Sequence, residues 1–91
     1  MFALEFRETA QRQLAKIARR NKQVGQDIKD KIEWLVTNVE NIDHEQMHGH
    51  SEFSLHSGQY RILYTIARTA RMIVIEDIDK HDAAYRKLKR R

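Results

Sequence analysis

The stretch Leu55-His56-Ser57-Gly58-Gln59-Tyr60-Arg61-Ile62-Leu63-Tyr64 decides how this chain is read. Apolar and polar residues alternate on both sides of a glycine, the pattern of two strands joined by a tight turn. Phe53 and Leu55 alternate with Ser54 and His56. Tyr60, Ile62, Tyr64 and Ile66 alternate with Arg61, Leu63 and Thr65. Successive strand residues point to opposite faces. If the apolar set lies on the core, Ser54, His56 and Arg61 share the other, open face. An arginine on rigid backbone beside a histidine suits a guanidinium that must meet a phosphate in fixed geometry.

Working outward, Phe2, Leu4 and Phe6 alternate with Ala3 and Glu5 and read as a strand. Ala10, Leu14, Ile17 and Ala18 recur at helical spacing. So do Val24, Ile28, Ile32, Leu35, Val36 and Val39, a second and stronger amphipathic stripe. Asn21 to Gly25 reads as the short polar connection of a helical hairpin. Asn38 to Ser51 reads as loop. Met72 to Ile75 is continuously apolar, as expected of a central strand buried on both faces. Asp82 to Arg91 suits a short terminal helix. The order is β-α-α-β-β-β with a final short helix: an α+β fold, two helices packed on one face of a mostly antiparallel four-stranded sheet.

The 91 residues make one domain, 1–91. There is no cysteine, which excludes disulfides and thiolate metal sites and fits a cytoplasmic protein. No apolar run approaches a membrane span, and the N-terminus lacks the apolar length of a signal peptide. Formal net charge is +4, and six Lys/Arg against a single acid crowd into 80–91. That asymmetry points to a polyanionic partner met near the C-terminus.

His81 follows the last strand and is suited to moving a proton near neutral pH. Lys80 beside it offers a phosphate a point charge. Tyr85, one helical turn beyond, can stack on a base. Together with His56 and Arg61 these are the parts for RNA cleavage by the adjacent 2′-hydroxyl, which needs a base, a cation for the phosphorane and an acid for the leaving oxygen. No metal or cofactor is expected. The spacing of His44, His48 and His50 could hold a transition metal, but no further ligand stands at a fixed distance. Trp34 reads as a packing residue at the helix boundary.

These motifs resemble the RelE/ParE toxin superfamily across nearly the whole chain, and RelE-type members in particular. The resemblance rests on Ala10 to Leu14 in the first helix, Met47-His48-Gly49, the gapless run Phe53 to Tyr64, and the closing Lys80, His81 and Tyr85. It implies a RelE-like fold and a type II toxin acting as a ribosome-dependent mRNA endoribonuclease, inhibiting translation and held in check by a cognate acidic antitoxin. Carried over residue by residue, His56, Arg61, His81 and Tyr85 are the catalytic candidates. Lys80, Arg86, Lys87 and Lys89 are the RNA-binding ones. His56 and Ser54 stand where RelE-type members have strand lysines, so the proton acceptor is His56, with Glu52 as substitute. The competing implication is a ParE-like inhibitor that binds DNA gyrase without chemistry.

Overall fold

A computed structural model describes residues 1–46 and 49–80. The elements are β1 (Ala3–Phe6), α1 (Glu8–Arg20), α2 (Lys22–Asn38), β2 (Glu45–Gln46), β3 (Phe53–Ser57), β4 (Tyr60–Ala67) and β5 (Met72–Lys80). The short terminal helix expected over 82–91 lies outside the described residues.

The sheet has five strands in the order β1-β5-β4-β3-β2. Every neighbouring pair is antiparallel except β1 with β5. One strand more than expected comes from the polar segment after α2. There Glu45 and Gln46 add to β3 opposite Ser54 and Phe53. Two residues are too few for an alternating pattern to be legible. β5 is hydrogen-bonded on both sides, as its apolar start required, and it runs on to Lys80.

One core joins the two helices to one sheet face. Ala10 and Leu14 of α1 and Ile28, Ile32 and Leu35 of α2 meet Ile62 and Tyr64 of β4 and Ile73, Ile75 and Ile78 of β5. Tyr60, Ile66, Phe53 and Leu55 border it, so the alternation in both hairpin strands is realised. Trp34 departs from its expected packing role. It is 41% exposed, with the Lys31 Nζ 4.5 Å from its ring centroid.

The helical hairpin is tighter than the sequence suggests. Asn21 alone separates the helices. Its backbone N–H donates to the Ile17 carbonyl, closing α1, and its side chain accepts from the Val24 N–H, capping α2. Gly25 is therefore no linker residue. A β-carbon on it would fall 2.6 Å from the Ala18 Cβ, so its absence is what lets the helices close.

Candidate functional site

The β3–β4 hairpin turns through Gly58 and Gln59 alone, since Ser57 pairs with Tyr60. Gly58 has φ +59° while Gln59 does not enter positive φ. That is the pattern of a type II′ turn, whose twist matches the strands it joins. The turn fixes the register, and the register sets His56 directly opposite Arg61. An Arg61 Nη2 lies 2.8 Å from the His56 Nε2. A guanidinium can only donate. The imidazole nitrogen therefore accepts, so the ring is neutral with its proton on Nδ1.

The pair differs from the expectation in one respect. His56 is exposed, but Arg61 is only 6% exposed and does not stand off into solvent. The guanidinium lies along the sheet to reach its cross-strand neighbour. The same face buries Ser54, Leu63 and Asp77. The face is thus less open than alternation alone implies, and a buried cation of this kind needs polar company to offset lost hydration. Asp79 stands across from Arg61 in β5. Glu76 is engaged elsewhere: it accepts from Arg7 Nε at 3.0 Å and from the Thr65 hydroxyl at 2.8 Å.

Of the other sequence candidates, Lys80 is exposed at the end of β5, in register with Tyr60 and next to the Arg61–Asp79 pair. Glu52 is buried before β3, which leaves it less accessible than His56. The Ser54 hydroxyl is buried with no hydrogen-bond partner among the described residues. His81, Tyr85, Arg86, Lys87 and Lys89 lie outside the described residues, as do Met47 and His48.

Two polar residues hold this frame in roles the sequence did not suggest. His44 was expected in a loop, yet its ring packs against Phe53 and Tyr64. Its Nε2 lies 2.8 Å from the Val39 carbonyl and its Nδ1 2.6 Å from the Tyr64 hydroxyl. A carbonyl only accepts, so Nε2 carries the proton, and in the neutral ring Nδ1 accepts from Tyr64. Burial, with a smaller contribution from the Glu45 carboxylate, pushes the Tyr64 phenol up to about 12. The available signal was Tyr64 itself: a tyrosine predicted to face the core needs a partner for its hydroxyl. Gln13 is the second. Its Oε1 accepts from the Ile78 N–H at 2.7 Å and its Nε2 donates to Asp77 at 2.6 Å. The pairing of β1 with β5 ends at Ile75, and Gln13 takes up the strand edge beyond it.

No group of metal-ligating side chains forms among the described residues, and no described helix is long and apolar enough to cross a membrane.

The two-helix layer over a mixed five-stranded sheet is the fold of the RelE-like toxins. The isolated RelE toxin of E. coli superposes with TM-score 0.73 at 17% identity, covering 99% of this chain and 98% of that one. The RelBE2 toxin–antitoxin complex of Mycobacterium tuberculosis matches with TM-score 0.70 at 22% identity, over 88% and 98%. The YoeB dimer of Staphylococcus aureus gives 0.68 at 16%, over 88% and 97%. At these identities the likeness is one of fold. No curated protein matches the chain in sequence. The family described as the ParE toxin of type II toxin-antitoxin systems, parDE, matches residues 4–85. The chain belongs to that family.

Proposed function

We propose that this protein is the toxin of a type II toxin–antitoxin pair and cleaves mRNA on the ribosome in the cytoplasm, inhibiting translation. The observation that carries the reading is the Arg61–His56 hydrogen bond across a turn-locked hairpin. It supplies a fixed cation and a neutral imidazole side by side. In the proposed reaction His56 takes the proton from a 2′-hydroxyl. The 2′-oxygen then attacks the adjacent phosphorus, and the P–O5′ bond breaks. The products are a 2′,3′-cyclic phosphate and a 5′-hydroxyl, whose proton comes from His81. Arg61 stabilises the charge on the phosphorane oxygens, a contact that strengthens as the charge develops. Substrate phosphate would draw Arg61 away from His56 Nε2 and free that lone pair to act. Tyr85 is assigned to stacking on a base, and Lys80, Arg86, Lys87 and Lys89 to phosphate contacts. No step requires a metal or cofactor. The partner proposed to control the enzyme is a small acidic antitoxin. The family membership supports this, as do related folds solved as toxin–antitoxin complexes.

A second reading is favoured by the family match itself, which is to ParE toxins. In that reading the protein binds DNA gyrase and performs no chemistry, and the Arg61–His56 pair is structural. Induction in cells followed by mapping of mRNA ends on translated and untranslated transcripts separates the two. The nuclease reading predicts new ends within translated transcripts only. Intact transcripts, together with inhibited supercoiling by purified gyrase, would establish the second.

A further inference from the structure

A groove of about 320 Å³ opens on the helix side of the sheet, where β4 begins and β5 ends. Lys16 and Arg20 line it from α1, Tyr60 from β4, and Asp79 and Lys80 from β5. Lys16 and Arg20 are four residues apart, so they share a helix face with β-carbons about 5–6 Å from each other. Both are exposed, as is Lys80. None of the three forms an ion pair with a described residue, whereas Arg12 on the same helix is paired with Glu8 at 3.5 Å. Among the described residues that line the groove the carboxylate is Asp79, which accepts from the Lys80 backbone N–H at 2.8 Å. Among the described residues, three cations thus line the cavity with one acid, an excess of positive charge that favours an anion there.

Tyr60 ties the groove to the candidate site. Its ring is half-buried on the helix side, and its chain neighbour Arg61 projects to the opposite face of the same strand. Lys80 is in register with Tyr60. The groove and the Arg61–His56 pair therefore occupy the two sides of one strand end. A polymer passing over that end reaches both. The i, i+4 spacing of Lys16 and Arg20 is close to one nucleotide step of an extended strand, and a half-exposed tyrosine beside cations is the composition of a single-strand platform.

We infer that this groove binds the phosphate backbone of single-stranded RNA flanking the bond to be cut, with Lys16 and Arg20 on successive phosphates, Lys80 on a third and Tyr60 as the stacking wall. The inference rests on the RNA-cleaving reading, but it assigns a separate surface that the reading does not need.

The test uses a labelled single-stranded RNA carrying 2′-O-methyl groups throughout, which cannot be cleaved, and measures its affinity by fluorescence anisotropy across a salt series. The paired substitution Lys16→Gln and Arg20→Gln is compared with Arg19→Gln and Lys22→Gln, which removes equal charge from exposed positions outside the groove. Each lost phosphate contact reduces the log–log salt slope by about 0.7 for single strands. The groove variant should therefore lose about 1.4 of slope and bind on the order of tenfold more weakly, while the control variant stays near wild type. Equal effects of the two variants would overturn the inference, as would failure of the wild-type protein to bind the RNA. Weakened binding of an acidic antitoxin with RNA affinity unchanged would also overturn it. Cleavage is read separately, on mRNA programmed into ribosomes. A protein that cuts without groove dependence sinks the groove and keeps the nuclease. A protein that binds through the groove and cuts nothing does the reverse.

Discussion

At the scale of single residues, the molecule fixes two imidazoles by hydrogen bonds to their ring nitrogens, to different ends. His44 is held from both sides, by the Val39 carbonyl and the Tyr64 hydroxyl, and clasps the end of α2 to the central strand β4. His56 lies against Arg61 on the exposed side of the hairpin. The clasp makes a prediction about alkaline stability. The Tyr64 pKa is raised to about 12, so folding favours the neutral phenol. That contribution is fully present below the unfolded value of about 10 and is lost as pH rises towards 12, at about 1.4 kcal/mol per pH unit. Tyr64→Phe should flatten this decline in thermal melts between pH 10 and 12. It should also cost roughly 1–3 kcal/mol at neutral pH, because the His44 Nδ1 is left without its donor. An undiminished alkaline decline in the variant would contradict the assignment. For His56, the proposed base, His56→Gln should slow cleavage more than it weakens RNA binding and should remove one limb of the pH–rate profile. Parallel loss of binding and rate would make it a contact instead.

At the scale of elements, the helical hairpin and the β-hairpin are each decided by one glycine, and only one of these was legible. Gly58 sits between two alternating runs, so its turn and the shared face of His56 and Arg61 followed from parity, while their direct pairing comes from the two-residue turn that sets the register. Gly25 sits in a polar stretch and reads as linker. In the structure it is inside α2, and what it accommodates is Ala18 of another helix. No local pattern carries a contact between helices. Gly25→Ala illustrates the competition: alanine improves helix propensity by about 1 kcal/mol, while overpacking typically costs about 1–3 kcal/mol. With a β-carbon 2.6 Å from another and 2.8 Å from the Ala18 Cα, overpacking should win. The melting temperature should fall, by about 4–8 °C per kcal/mol for a chain of this size. Adding Ala18→Gly should recover part of the loss, and a stabilised single variant would show that the helices separate easily. β2 was invisible for a different reason, since its two residues are placed by β3 and by the His44 clasp rather than by their own sequence. The burial of Arg61 was missed because alternation gives the face of a side chain but not whether it stands or lies down.

At the scale of the whole molecule, charge is distributed unevenly. Acidic residues gather between Asp30 and Gly58, and cations gather on α1 and from Lys80 onward. The C-terminal run and the candidate site are the proposed seat of the antitoxin. Coexpression of a neighbouring reading frame that encodes an acidic protein should relieve growth arrest and yield a complex that weakens with salt, because exposed charges are screened within about 8–10 Å at ordinary ionic strength. A complex indifferent to salt would contradict an interface built on the basic C-terminal run. Both activities proposed for the family fold converge on one question, whether Arg61 acts on a reacting phosphate. The most direct measurement is the single-turnover cleavage rate of an mRNA programmed into ribosomes, for the wild-type protein and for Arg61→Gln, with circular dichroism confirming that both are folded. Loss of one transition-state charge contact costs about 2.7–4 kcal/mol, so the variant should cut about 10²–10³ times more slowly. A folded Arg61→Gln protein that cuts as fast as wild type would contradict the account.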